Sequence, residues 1–236
     1  MPARCAEMLN RKEVEGALIP VIEYQRIPGI RLVPDVCVGS RKSVRSVVLV
    51  SKKDTLGNIR SVALDASSRT SVVLLKIIFR EFLHREPQWK ACKPDIDQML
   101  NENDAALLIG DPAMTLNRAE LHVFDMATLW QQYTGKGFIF AMWALREDSL
   151  KHCGHIDFTA ARDEGLKQID KIVSHYERHI PLPRKELTTY LTENINYQID
   201  KRMEEGLRLY FNLAFKHGLI EERKITPIRK YSVLID

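Results

Sequence analysis

The residues best suited to chemistry lie in Ser61-Val-Ala-Leu-Asp65-Ala-Ser67-Ser68-Arg69-Thr70-Ser71, which runs directly into the apolar segment Val72–Phe79. Val62–Leu64 reads as a short buried strand and Ala66–Ser71 as a turn packed with hydroxyls, and the residues beyond alternate with helical period. A strand, a polar turn and a helix start present unpaired N–H groups and a positive dipole end to an anion. Ser67, Ser68, Thr70 and Ser71 add hydroxyl donors, and Arg69 can add a guanidinium fork for a carboxylate or phosphate. The same residues also suit an ordinary Ser/Thr cap on a surface helix, and the local pattern alone divides evenly between the two readings.

A second element moves that balance toward a ligand. Asp104-Ala-Ala-Leu-Leu-Ile-Gly-Asp-Pro-Ala-Met114 is another short buried strand, closed by Gly110-Asp111-Pro112. Val123-Phe-Asp-Met-Ala-Thr-Leu-Trp130 then opens a helix, followed by Thr134-Gly-Lys-Gly-Phe-Ile-Phe-Ala-Met-Trp-Ala144. Gly16-Ala-Leu-Ile-Pro-Val-Ile-Glu-Tyr24 has the same grammar, a buried strand ending at Pro20 and then a helix start. Strand ends of this kind, repeated through an alternating α/β chain, mark the crevice where open sheets bind ligands. Gly110 permits close approach of backbone, and Gly110 and Asp111 are expected to line the wall opposite Ser68. Asp111 is a weak general base on this reading, because an Asp after a strand more often caps the next turn.

The elements that must position these residues are legible in outline. Residues 2–14 read as an amphipathic helix, 15–20 as a strand and Val21–Arg26 as a helical turn. Leu32–Val38 and Val44–Ser51 follow as strands. Ser61–Leu108 reads βαβ with a helix over about Thr70–His84, Asp125–Thr134 as a helix and Phe138–Leu145 as a return strand. The remainder is helical, at Asp157–His179, Pro183–Ile195 and Tyr197–His217, with Gly218 as C-cap. The fold class is therefore α/β with two lobes, the chain crossing out near residue 55 and back near 140. Residues 1–57 and 137–236 are assigned to lobe I and 58–136 to lobe II, with the ligand cleft between them.

Composition narrows the function classes. The 236 residues, 45% hydrophobic and 28% charged, have enough apolar content for a sizeable core. A net charge of +4 suits an anionic small molecule, while nucleic acid would call for denser Lys/Arg clustering than the mixed tail Glu221–Lys230 offers. No apolar run approaches the roughly 18–20 residues of a membrane span, and the first residues carry no signal-peptide core, so a cytoplasmic chain is expected. Cys5, Cys37, Cys92 and Cys153 form no CxxC pair and read as free thiols. His152-Cys153-Gly154-His155 is spaced too tightly for a usual zinc knuckle, so no metal is assigned. His175 and His179 lie on a charged helix face without the HExxH order, and Trp130 and Trp143 read as core or cleft wall.

At Ala17–Tyr24, Arg45–Ser51, Val62–Ser71, Ala106–Ala113, Asp125–Gly135 and Phe138–Trp143 the chain resembles the chorismate dehydratases of the futalosine route to menaquinone. The resemblance runs over essentially the whole chain and implies a fold similar to type II periplasmic solute-binding proteins. The family begins with a strand and helix carrying a Ser-Tyr-Leu-Asn-Thr-like motif, whose Asn sits at the active site. Met1-Pro-Ala-Arg-Cys-Ala-Glu instead looks like the family's second helix, so a βα segment on the order of 30 residues is expected to be missing. A start codon placed too late, a fragment and a member that has lost function are the three explanations, the first being favoured.

The resemblance implies a lyase without metal or organic cofactor, acting on the small dianion chorismate, with no nucleic-acid or membrane partner. A homodimer is left open, with the helices over Pro183–His217 as its contact or as packing for lobe I. Ser68, Thr70 and Ser71 are expected to hold one substrate carboxylate and Pro20 to belong to the substrate site. Arg69 divides evenly between touching the ligand and bracing the lobe. The catalytic residue is unassigned, because nothing in the chain replaces the family Asn. Two other functions stay in view: a solute-binding protein of the same fold without catalysis, and the related 1,4-dihydroxy-6-naphthoate synthase, whose motifs fit these residues less well.

Overall fold

The structure, a computed structural model, describes residues 2–117 and 120–224. Within the tail Glu221–Lys230, residues 225–230 lie outside the described residues. Helix α1 (Pro2–Asn10) starts with Pro at its first position, where the missing N–H costs nothing, and buries Ala3, Ala6 and Leu9. There follow β1 (Gly16–Pro20), α2 (Glu23–Arg26), β2 (Ile30–Ser40), β3 (Val47–Ser51), β4 (Ser61–Asp65) and α3 (Thr70–Ile77). Next come β5 (Gln88–Cys92), α4 (Ile96–Glu102), β6 (Ala105–Ile109), α5 (Asp111–Met114), β7 (His122–Asp125), α6 (Met126–Thr134) and β8 (Phe138–Arg146). The rest is helical: α7 (Leu150–Cys153), α8 (Phe158–Lys167), α9 (Ile169–Tyr176), α10 (Arg184–Thr189) and α11 (Lys201–Lys216). Single π-helical turns at Ile78–Phe82 and Tyr190–Asn194 extend α3 and α10. Among the described residues no helix is long and apolar enough to cross a membrane.

The strands form two sheets. The first is antiparallel, in the order β1-β8-β2, and the second has the order β5-β4-β6-β3-β7. In the second sheet β5, β4 and β6 run parallel, while β3 is antiparallel to both β6 and β7. The five-stranded sheet thus draws β3 from residues 1–57 and its other strands from 58–136. The chain first passes between the sheets after Ser40 and before Val47, not near residue 55 as the sequence suggests, and it returns ahead of Phe138. Val47–Ser51 is buried throughout because it is a central strand, and a central strand is continuously apolar whichever sheet holds it.

Helix α3 lies between the two sheets and welds them into one core. Its Leu74, Leu75 and Ile77 cluster with Leu49, Val62, Leu64 and Leu107 of the second sheet and with Ile19 and Phe138 of the first. Helix α11 adds Met203, Leu207, Tyr210 and Phe211 to the same cluster. Burying each large side chain of this kind stabilises by about 1.5–3 kcal/mol. Tyr210 meets Phe138 edge-on at 5.0 Å between ring centroids, and Phe138 meets Trp130 at 5.4 Å, also edge-on. Gly206 lets α11 approach the start of β8, since a Cβ there would lie 2.1 Å from the Gly137 carbonyl oxygen.

Several strands and helix boundaries differ from the sequence reading. β5 has mostly exposed residues and no alternation, so its pattern carries no strand signal. β7 occupies His122–Asp125, and the helix begins only at Met126, because the Asp125 carboxylate caps it by accepting from the Ala127 and Thr128 amides at 3.0 Å. The helix over 157–179 breaks at Gln168 into α8 and α9. Residues ahead of Lys201 are extended: Asn196 bridges to Gly39, and the Asp200 side chain caps α11 by accepting from Met203 N at 2.8 Å.

Candidate functional site

Neighbouring parallel strands β4 and β6 end at the same edge of the second sheet, which places the Asp65–Ser71 turn beside the Gly110–Asp111 turn. The carboxyl end of β1 lies across from the first of these. Ile22, two residues past Pro20, donates its N–H to Thr70 Oγ1 at 3.4 Å. Pro20 is buried, in register with Ala141 of β8. The structure therefore brings Pro20 and the turn Ser68–Ser71 to one place.

The turn is built from within. The buried Asp65 carboxylate accepts from Ser67 N at 2.8 Å and from Ser67 Oγ at 2.7 Å, so the Ser67 hydroxyl is committed. The Asp65 carbonyl accepts from Ser68 N at 2.9 Å. Ser68, Thr70 and Ser71 are all buried. The Thr70 carbonyl accepts from Tyr210 Oη at 3.0 Å, and burial, the first cause, pushes that phenol well above its usual range, so it donates at any working pH.

Ser68 stands apart from its neighbours. It is 6% exposed, and its Oγ is buried with no hydrogen-bond partner among the described residues. Arg69 occupies the cap position of α3 and gives no side-chain cap, so the first-turn amides of the helix keep their outward donor capacity. A buried hydroxyl donor beside an uncapped helix start is an arrangement able to accommodate a carboxylate.

Arg69 itself is engaged elsewhere. Its Nη1 donates to Glu23 Oε2 at 3.0 Å and its Nη2 to Glu7 Oε1 at 2.5 Å. Glu23 is 3% exposed and also accepts from Arg26 Nη1 at 2.8 Å. Two carboxylates and two guanidiniums thus form a chain whose formal charges cancel. Both terminal nitrogens of Arg69 thus donate to protein carboxylates.

Gly110 takes φ +68°, a conformation open to glycine without strain, and its N–H donates to the Ser46 carbonyl at 2.8 Å. Asp111 is exposed as the first residue of α5, and its carbonyl accepts from Thr115 N and Thr115 Oγ1, each at 2.9 Å. Tyr190 Oη donates to Ser46 Oγ at 2.9 Å beside this turn. Burial above all, and then the Asp111 charge, raise that phenol from its ordinary value. Among the described residues no group of three or more His, Cys, Asp or Glu side chains is arranged to hold a metal.

Sequence reasoning missed Glu23 and Tyr210. The spacing of Glu23 and Arg26 at i, i+3 on a short helix is a legible ion-pair signal. The Glu23–Arg69 and Tyr210–Thr70 pairings span 46 and 140 residues, and no local pattern announces them.

A family model described as menaquinone biosynthesis matches residues 1–216. The chorismate dehydratase of Thermus thermophilus is 28% identical over 229 residues, covering 89% of this chain and 83% of the relative. Protein AF1704 from Archaeoglobus fulgidus superposes with a TM-score of 0.67 at 17% identity, covering 93% of this chain and 85% of that one. The periplasmic aliphatic sulphonate binding protein SsuA of Escherichia coli gives 0.63 at 13% identity, covering 98% and 79%. The fold is that of the periplasmic binding proteins. With the family model spanning most of its length, the chain belongs to the menaquinone-biosynthesis family.

Proposed function

We propose that this protein is a chorismate dehydratase, a carbon–oxygen lyase that converts chorismate to 3-[(1-carboxyvinyl)oxy]benzoate and water. Its relation to the Thermus thermophilus enzyme over 89% of its length supports that activity. The observation that carries the site is the buried Ser68 hydroxyl, without a hydrogen-bond partner among the described residues, at the uncapped start of α3.

The chemistry suits these donors. Chorismate carries two carboxylates, a C4 hydroxyl and an enolpyruvyl ether at C3. Loss of the C3 proton and the C4 hydroxyl makes the ring aromatic. The C3–H is conjugated through C1=C2 to the ring carboxylate, so its removal pushes negative charge onto that group. Donors held on this carboxylate bind the transition state more tightly than the ground state. Ser68 Oγ and the amides of Thr70 and Ser71 fill that role, with Thr70 Oγ1 and Pro20 shaping the facing wall. Gly110 and Asp111 line the adjoining strand end.

The proton acceptor is assigned to the substrate. Glu23 and Asp65 are already engaged by guanidiniums or by hydroxyl and amide donors, and an unprotonated Asp111 would face a dianion. The enolpyruvyl carboxylate can reach the C3 proton within the same molecule, and the protein supplies orientation and charge stabilisation. Ring-proton NMR of chorismate incubated with the protein tests the activity, since the benzoate signals should grow as the diene signals vanish. An analogue without the enolpyruvyl carboxylate should bind and stay intact; its turnover would remove the substrate from the role of base.

A further inference from the structure

Three contacts tie the Ser68–Ser71 turn to the first sheet and its helices, and one of them ends on a buried carboxylate. Ile22 N–H reaches Thr70 Oγ1, Tyr210 Oη reaches the Thr70 carbonyl, and Arg69 is clamped by Glu23 and Glu7. Glu23 directly follows the Ile22 that makes the first contact and itself makes the third. Its side chain is 4% exposed, against 29% for Arg69 and 50% for Glu7, so the Glu23 arm is the desolvated, geometrically fixed one. Exposed ion pairs are worth little, whereas removing one partner of a buried pair leaves a charge stranded.

We propose that Glu23 is the positioning residue of the anion site: through Arg69 it fixes the Ser68–Ser71 turn and holds the guanidinium away from the helix start, leaving neutral donors to meet the substrate. The proposal rests on the functional reading above. It accounts for an arginine inside a carboxylate-binding turn with both terminal nitrogens spent on protein carboxylates. A guanidinium left free there would bind a dianion strongly in the ground state, which lowers KM without lowering the barrier. Neutral donors fixed in place favour the form in which charge has moved onto the ring carboxylate.

Substitution at Glu23 should therefore move kcat and KM in a way that simple loss of structure does not. Glu23→Gln keeps the size and one acceptor. It should lower kcat on the order of 10- to 100-fold, the cost of a turn displaced by up to about 1 Å, while KM for chorismate stays level or falls. Arg69→Gln should lower kcat comparably, and the double variant should be no slower than the slower single, because the two residues act as one unit. Glu23→Asp, which restores the charge, should recover part of the lost kcat.

Hydrogen exchange read by mass spectrometry on the peptide covering residues 66–75 supplies a readout independent of activity. Exchange there should quicken in Glu23→Gln with the rest of the map unchanged. Should Glu23→Gln fail to fold, Arg69→Gln carries the same test from the exposed end of the link. Unchanged exchange in 66–75, an unaltered kcat, or losses that multiply in the double variant would each overturn the proposal. If the wild-type chain does not turn over chorismate, the functional reading falls, and the exchange comparison still decides whether Glu23 positions the turn.

Discussion

Replacing Ser68 by Ala should change stability and activity in opposite directions. The Ser68 hydroxyl is buried without a hydrogen-bond partner among the described residues, and leaving such a group unsatisfied costs about 1–3 kcal/mol in the folded protein. Ala keeps the Cβ and removes the unpaired oxygen, at the expense of a void smaller than a methyl group, on the order of 1 kcal/mol or less. The net effect on folding is roughly 0–2 kcal/mol stabilising, or an unfolding midpoint about 0–8 °C higher for a chain of this size. In the proposed substrate complex the hydroxyl donates to a carboxylate, a bond worth about 1.5–3 kcal/mol, so kcat/KM should fall roughly 10- to 150-fold. Part of that loss belongs in kcat, because the charge on the ring carboxylate grows as the C3 proton leaves. Thermal unfolding followed by circular dichroism, with initial rates of chorismate loss at several concentrations, measures both quantities on the same preparation. A midpoint lowered by more than about 3 °C, or a kcat/KM within twofold of wild type, would refute the reasoning.

Three further expectations test the framework around the site. Gly206→Ala forces a Cβ to 2.1 Å from the Gly137 carbonyl oxygen, so α11 must move off β8. An overpacking cost of about 1–3 kcal/mol should lower the unfolding midpoint by roughly 2–12 °C in a thermal melt. Burial pushes the Cys37 thiol up to about 12 and raises Cys153 from its ordinary value, whereas Cys5 and Cys92 are half-buried. Brief treatment of native protein with iodoacetamide near pH 8 should label Cys5 and Cys92 and spare Cys37 and Cys153 in the mass spectrum. The Lys216 ammonium first, then His217, holds the Glu81 carboxyl below its usual range. A folded value below the unfolded one adds stability that is present above the unfolded pKa of about 4.3 and is lost as pH falls through the folded value. The stability difference between wild type and Glu81→Gln, from urea melts, should therefore be present near neutrality and shrink as pH falls below about 4.3.

How much of this was legible depended on whether the signal was local. Strands β1, β4, β6 and β8 are short apolar runs closed by Pro, Asp, Gly or charge, and helix α3 follows a turn of capping residues, so their types could be read directly. Strand β5, Gln-Trp-Lys-Ala-Cys, could not, because an edge strand with most side chains in solvent has no buried face to impose alternation. Strand β3 was recognisable as a strand but not as a member of the second sheet, since pairing partners lie outside any window of sequence. The same limit governs the site. Ser68, Thr70 and Ser71 were visible as a hydroxyl cluster at a helix start. The Ser67–Asp65 bond is local, whereas the engagement of Thr70 by Ile22 and of Arg69 by Glu7 and Glu23 is set by contacts across the fold, and Ser68 Oγ is left without a hydrogen-bond partner among the described residues.

The central claim is that this chain dehydrates chorismate at the Ser68 turn. It is tested most directly by incubating the purified protein and its Ser68→Ala variant with chorismate and quantifying 3-[(1-carboxyvinyl)oxy]benzoate by mass spectrometry. Product from the wild type at an enzymatic rate is expected, with a rate lower by roughly 10- to 150-fold from the variant. No product above the enzyme-free control, or equal rates from the two proteins, would contradict it.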